Sequence, residues 1–316
     1  MVKLEKATTP TFYFIGVTTA QSSIMKLFPL WAKELNIDAV IKGIDINIHE
    51  DPSVYREVVQ FLKDDELSLG ALVTTHKIDL YQAAKDLFDE LDPYARLFGE
   101  LSCISKKDGK LVGHAKDHIS SHLAMQAFIP TNFWEQHGGE AFLMGAGGSS
   151  IAITSNLIES ANKNNRPSKI YVANRSQPRL DSMRSIINEI STDVEIEYVL
   201  ADDMIINDEI LTRVKPYSLI VNATGLGKDR PGSPLTNNCS YPENSLVWEL
   251  NYRGDLLFMH QALNQKESKN LHVEDGWVYF IHGWTQVISE VFHMEINQKE
   301  LSKVEQIASD YVTNKS

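Results

Sequence analysis

The segment from Ala141 to Ala161 constrains this chain more than any other. Four apolar residues, Ala141 to Met144, run into Gly145-Ala146-Gly147-Gly148-Ser149-Ser150, and a helical pattern follows from Ile151. Glycines here let the chain turn tightly and let its backbone come close to a bound group. The amides and dipole of the following helix N-terminus favour a negative charge there, such as a pyrophosphate. The third position of the G-x-G-x-x-G pattern is Ser150, small enough for close helix packing. An ordinary glycine-rich turn has the same local signature, so the surroundings must decide between the two.

One strand later, Lys169-Ile170-Tyr171-Val172-Ala173 leads into Asn174-Arg175-Ser176-Gln177-Pro178-Arg179. Sites that prefer NAD place an acidic residue at this strand end to hold the ribose hydroxyls, and here a polar and basic cluster stands instead. Arginine offers a planar fork of donors that matches a 2′-phosphate, so the expected cofactor is NADP, with NAD the lesser choice. The alternative is that Arg175 and Arg179 are solvated loop residues. The strand-helix alternation continues through Glu195 to Leu200, Leu219 to Asn222 and Leu246 to Leu250, which outlines a doubly wound sheet.

The first third of the chain repeats the alternation. Phe12 to Val17, Ala39 to Ile46 and Ala71 to Thr74 read as strands, and Val54, Val58, Val59 and Leu62 make one face of a helix. Pro29 is awkward inside a helix beginning near Ser23, since proline removes a hydrogen bond and clashes with the preceding turn, so the helix is expected to start just before it. Asp108-Gly109, between two runs able to form strands, predicts a tight hairpin. His118 to Phe128 reads as a connecting helix, and the tail from Gly276 as two helices. The expected fold is α/β. Residues 1–117 with 277–316 form a substrate domain, residues 118–276 form a Rossmann-type domain that binds NADP, and the C-terminal helices pack back on the first domain.

With 316 residues, two domains are the natural division, and the 43% apolar content is that of a globular protein. The net charge of −12 and the absence of a dense basic run argue against nucleic acid and anionic membranes as partners. Two cysteines, Cys103 and Cys239, are too few for a disulfide framework or a four-ligand zinc site, and no metal is expected. The opening MVKLEKATTP lacks the apolar stretch of a signal peptide, and no apolar run reaches the roughly 20 residues of a membrane span. A soluble cytoplasmic protein is expected, monomer or homodimer, with a small molecule as its partner.

Five segments in order resemble those of shikimate and quinate dehydrogenases. Gly145-Ala146-Gly147-Gly148, Asn174-Arg175-Ser176 and Val221-Asn222-Ala223-Thr224-Gly225 are similar to that family's G-A-G-G, N-R-T/S and I-N-A-T segments. Leu72-Val73-Thr74-Thr75-His76-Lys77 looks like its N-V-T-x-P-H-K with one residue missing, and Gly113-His114-Ala115-Lys116-Asp117 like its G-x-N-T-D. The resemblance implies an oxidoreductase acting on a CH-OH group, in a family associated with aromatic amino acid biosynthesis. It implies that Lys77 transfers the hydroxyl proton and Asp117 orients Lys77 and the substrate. The cofactor would be held by Gly145, Ala146, Gly147, Gly148, Ser149, Asn174, Arg175, Ser176, Arg179, Asn222, Ala223 and Thr224, and the substrate by Ser22, Thr74, Ser102, Tyr252 and the position of Gly283. For an arbitrary pair, Lys77 would be a surface residue and Asp117 the N-cap of the next helix.

The departures share a direction. In the S-x-S-P segment the second serine is Ile24 and the proline Met25. The asparagine before V-T is Leu72, the N-T of G-A-V-N-T is Ser102-Cys103, the N-T of N-T-D is Ala115-Lys116, and a helical glutamine is Gly283. Groups that would hold a carboxylate and three ring hydroxyls are lost, and a pocket built to pair a polar group is strongly weakened when a partner vanishes. Lys116 could supply a new anion contact, and Trp277, Tyr279 and Trp284 could either line a less polar pocket or fill a core. The expected function is NADP-linked hydride transfer on a small cyclic hydroxy or keto compound other than shikimate. The alternatives are a nucleotide-binding regulator that has lost turnover, and a true shikimate or quinate dehydrogenase.

Overall fold

The computed structural model describes residues 4–228 and 230–313. The chain divides after Asp117 and again after His282, so that the segments before and after form one compact unit and the middle segment a second. Each unit is built on its own six-stranded sheet.

In the first unit the strands are β1 (Thr11–Gly16), β2 (Val40–Asp45), β3 (Ser68–Val73), β4 (Glu90–Leu91), β5 (Cys103–Lys107) and β6 (Lys110–His114), in the order β2-β1-β3-β5-β6-β4. The first three are parallel, while β5 runs antiparallel to both β3 and β6. Every residue of β1, TFYFIG, is buried, as a central strand covered on both faces requires. The hairpin between β5 and β6 turns on Asp108 and Gly109 at φ 51° and 77°, the left-handed pair of a two-residue turn whose twist matches the strands.

The helix expected to begin just before Pro29 instead runs Ile24–Glu34 with Pro29 inside it. Its buried face of Ile24, Leu27, Phe28, Trp31 and Ala32 straddles the proline. Burial of several such side chains, at roughly 1.5–3 kcal/mol each, outweighs the roughly 3 kcal/mol cost of an interior proline. The C-terminal helix Gln298–Thr313 lies against it, so the tail completes the first unit. Phe12 of β1 is the hub of that core, with its ring 5.4 Å from Phe28, 6.0 Å from Trp284 and 5.7 Å from Phe292.

In the second unit the strands are β7 (Ala141–Met144), β8 (Lys169–Asn174), β9 (Glu195–Leu200), β10 (Leu219–Asn222), β11 (Leu246–Glu249) and β12 (His272–Glu274). All neighbours are parallel, in the order β12-β11-β10-β7-β8-β9. This is the doubly wound order, and strand connections reverse direction between β7 and β10, where such folds bind ligands beyond the strand carboxyl ends. The sixth strand, β12, is only three residues long, too short for a periodicity that the sequence could show. Cys103 and Cys239 are both free and buried. Among the described residues no helix is long and apolar enough to cross a membrane, and no group of three or more His, Cys, Asp or Glu side chains could hold a metal.

Replacing Phe12 with Ala removes an aromatic ring from a fully buried position, and should lower unfolding stability by about 3–5 kcal/mol. Denaturant titration checks this: the midpoint should fall with an unchanged slope.

Candidate functional site

The end of β3 sets the first part of the site. The Thr74 backbone N–H donates to Ile15 at 3.0 Å, continuing the pairing with β1, and the chain then turns within two residues into the helix Lys77–Ala84. Where the resembled segment has one residue more, Thr75 takes φ 61°, a left-handed conformation strained for a β-branched residue. That conformation closes the shorter turn and keeps Lys77 as the first helical residue. Asp117 is likewise the first residue of the helix Asp117–Phe128, a position where the helix dipole favours a carboxylate. Lys77 Nζ donates to Asp117 Oδ2 in a close ion pair whose side chains are 19% and 10% exposed. Neither residue plays the bland part of surface lysine or solvated cap.

A third charge-bearing group completes this cluster. Glu100 follows Gly99, the left-handed residue that ends the helix Pro93–Phe98, and the next N–H, that of Leu101, donates to the Lys77 carbonyl at 3.1 Å. Glu100 is fully buried, and neither of its carboxyl oxygens has a hydrogen-bond partner. Burial, then the charge of Asp117, push its pKa up to about 8, against the lowering effect of Lys77. Burial by itself would lower the Lys77 pKa, but the charges of Asp117 and Glu100 and the Asp117 hydrogen bond more than offset it, so the net direction is upward. The ammonium form of Lys77 is therefore the resting form. No sequence signal marked Glu100, which stands at the alanine of the resembled G-A-V-N-T segment and belongs to no periodic pattern.

The other residues expected to face a substrate fare unequally. Ser22 is buried near the end of a short 3-10 turn, and Thr74 is half-buried. The Ser102 hydroxyl accepts from the Lys116 backbone N–H at 2.6 Å and points at the His114 carbonyl at 3.5 Å, so the chain itself uses much of its bonding capacity. Lys116, expected as a possible anion contact, instead pairs with Glu290 at 2.6 Å. Gly283 lies inside the helix Trp277–Val291, and a Cβ built there meets no atom within 4 Å. Trp284 is core, its ring 4.9 Å from Phe14 as well as close to Phe12.

In the second unit, β7 delivers the glycine-rich turn. Gly145 has φ 114°, and a Cβ there would lie 2.6 Å from the Ala223 carbonyl, so only glycine allows the turn to pass so close to the end of β10. Gly147 caps the helix Gly148–Glu159 in an extended conformation, and the space a Cβ would occupy there is open. Ser149 accepts from the Tyr279 hydroxyl at 3.4 Å, and the Ser150 hydroxyl is buried without a partner. At the end of β8, Asn174 donates to the Ser176 carbonyl at 3.2 Å. Arg175 is exposed and Arg179 partly so, and among the described residues neither has an ion-pair partner.

At the end of β10, the Asn222 side-chain oxygen accepts from the Thr224 N–H at 3.1 Å and hydroxyl at 2.7 Å, while its side-chain amino group donates to Glu249 at 2.7 Å. This buried knot fixes the path of Ala223 and Thr224 beside Gly145. Burial raises the Glu249 pKa to about 7 although Asn222 and Asn251 donate to it. Tyr252 packs against Trp277 and Phe280, with ring centroids 5.5 and 4.4 Å away. An open glycine turn, an unpartnered buried hydroxyl and two uncommitted guanidinium groups fit a dinucleotide carrying an extra phosphate.

No family model matches the chain. It is 28% identical to the shikimate dehydrogenase (NADP(+)) of Lactococcus lactis over 178 residues, 56% of this chain and 59% of that protein. It is 23% identical to that of Hydrogenovibrio crunogenus over 269 residues, 85% of this chain and 87% of that protein. Among solved structures, shikimate 5-dehydrogenase from Listeria monocytogenes, in complex with shikimate and NAD, superposes with a TM-score of 0.70 at 19% identity, covering 96% of this chain and 98% of that one. The chain is shikimate dehydrogenase-like in sequence and fold. The matches to several curated relatives span little more than half of their length, 59% and 53% for two of them. The 5-ketofructose reductase of a Gluconobacter strain has the same fold, with a TM-score of 0.66 at 17% identity over 95% of this chain and 99% of that one. One fold thus carries dehydrogenases and reductases named for different substrates.

Because the space beside Gly283 is open, Gly283→Ala should raise stability by about 0.5–1 kcal/mol, the usual gain at an unstrained helical glycine. Thermal unfolding checks this; a lowered midpoint would show that the space is closed.

Proposed function

We propose that the chain is an NADP-dependent oxidoreductase that interconverts a hydroxyl and a carbonyl on a small cyclic compound other than shikimate. The observation that carries this reading is the buried Lys77–Asp117 ion pair, assembled from residues forty positions apart at the ends of two different elements. A bound nicotinamide supplies or accepts the hydride in such chemistry. The protein's own task is to move the proton at the oxygen. Lys77, held as an ammonium, is loaded to give a proton to a carbonyl oxygen, so it serves as general acid in reduction and, once neutral, as base in oxidation. Asp117 fixes the ammonium in place and stabilises its charge.

Gly145, Ala146, Gly147, Gly148 and Ser149 would hold the pyrophosphate, with Asn174, Ser176, Asn222, Ala223 and Thr224 along the rest of the dinucleotide. Arg175 and Arg179 would grip the 2′-phosphate, which is why NADP is preferred over NAD. On the substrate side, Ser22, Thr74 and Tyr252 retain hydroxyls, while Ser102 is largely engaged by backbone and Gly283 offers space instead of an amide. A carboxylate and three ring hydroxyls would leave several of their hydrogen bonds unmade in such a set, and that disfavours shikimate. The intact Lys77–Asp117 pair also weighs against a regulator without turnover.

Screening NADPH oxidation against cyclic ketones, keto acids and ketoses should identify a substrate whose kcat/KM falls about 10²–10⁴-fold in Lys77→Ala; equal activity of both proteins would sink the assignment. Changing Arg175 and Arg179 together to alanine should weaken NADP binding by roughly tenfold or more and leave NAD within a few-fold, measured by fluorescence titration. Equal losses for both cofactors would remove the phosphate clamp.

A further inference from the structure

The loop after β1 already holds a carboxylate, and that carboxylate belongs to the chain. Asp45, the last residue of β2, accepts at Oδ1 from the Thr19 backbone N–H at 2.8 Å and from the Thr19 hydroxyl at 2.6 Å. Thr19 opens the short 3-10 turn that ends against Ser22, the serine expected to meet a substrate. This end of the first sheet is tightly drawn together. A Cβ placed on Gly16, the last residue of β1, would come within 3.2 Å of both Thr19 and Thr74, so the Ser22 loop lies beside the strand end that leads to Lys77. The second serine of the resembled segment is Ile24, fully buried on the core face of its helix, so no hydroxyl stands there. Both lysines of the proton-transfer region are committed as well, Lys77 to Asp117 and Lys116 to Glu290.

We propose that the compound this site takes is uncharged, a cyclic hydroxy ketone or the matching polyol without a carboxylate, and that Asp45 is a specificity-determining residue. The inference deepens the oxidoreductase reading and rests on it. An ionised carboxylate only accepts hydrogen bonds. Asp45 uses Oδ1 for both bonds to Thr19, and Oδ2 makes none among the described residues. A substrate hydroxyl can donate to that oxygen, whereas a substrate carboxylate, itself only an acceptor, has nothing to offer it. Two anions so placed also repel, more strongly where protein replaces water and less strongly in salt. A carboxylate entering beside Ser22 would give up its hydration without gaining an unanswered cation, because Lys77 and Lys116 already face anions of the chain. Hydroxyl groups carry no such penalty. The donors of the Thr19 turn, which an anionic ligand would need, are spent inside the protein.

A matched series tests this: cyclohexanones carrying, at one ring position, a carboxylate, a carboxamide or an aminomethyl group, each assayed for NADPH-dependent reduction. The amide should exceed the carboxylate in kcat/KM by more than about tenfold, and the amine should not exceed the amide. Raising ionic strength from about 0.05 M to about 0.5 M should narrow the gap between carboxylate and amide. Asp45→Asn keeps an oxygen for Thr19 and removes the charge, so the carboxylate-to-amide ratio should rise about tenfold. A merely structural part for Asp45 would change all three substrates together and leave the ratio where it was, which overturns its role in specificity. A carboxylate reduced as well as the amide, or an amine reduced better, overturns the uncharged class while the oxidoreductase reading stands. The second measurement needs no turnover: the thermal midpoint with NADP present and either the carboxylate or the carboxamide added. The amide should raise it more. Reduction of none of the three, with that difference still seen, overturns the redox reading and leaves the ligand class in place; no reduction and no difference overturns both.

Discussion

The arrangement of this protein turns on a single buried ion pair. Lys77 and Asp117 each begin a helix, and each is delivered by a strand that belongs to the same sheet, so the pair exists only if that sheet forms with its strands in their observed order. An ammonium and a carboxylate so enclosed are stable together and costly apart, because either alone would be an uncompensated charge away from water. The strained φ of Thr75 is consistent with that demand: the turn is short, and the backbone accepts a left-handed residue rather than moving Lys77 off the helix start.

The same enclosure decides the protonation state. Burial and charge pull the Lys77 proton affinity in opposite directions, and the outcome depends on how many carboxyl groups surround it. With Asp117 and Glu100 both close, charge wins. A lysine held as a cation is a ready proton donor, which suits carbonyl reduction more directly than alcohol oxidation. The second unit is built on different physics, with close backbone approach at Gly145, a polar knot of Asn222, Thr224 and Glu249, and two arginines that have no ion-pair partner among the described residues.

Much of the fold was legible because the parallel strands are short apolar runs bounded by glycine or polar turns, a pattern that survives without any knowledge of neighbours. Asp108-Gly109 named its hairpin for the same local reason, the left-handed φ both residues tolerate. Pro29 misled because its cost is local while the apolar face that outweighs it is tertiary: Phe28 and Trp31 are fully buried on either side of it. The strand β12 and the carboxyl of Glu100 carried no sequence signal, the one being too short and the other a single residue with no spacing partner. Lys116 illustrates the converse, a cation whose sequence position invited a ligand and whose partner, Glu290, lies 174 residues away.

The sequence by itself determined the α/β class, the glycine-rich turn, the arginines after β8 and the choice of Lys77 and Asp117 as a candidate pair, because each of these depends on neighbours within a few positions or on a motif read in order. Tertiary structure alone decided which charges surround Lys77, that Ser102 is spent on the backbone, and that the place of a helical side chain at Gly283 is empty. Those are statements about what lies across space from a residue, and the free energy of a buried charge or an open space is set by those neighbours, which the order of residues does not specify.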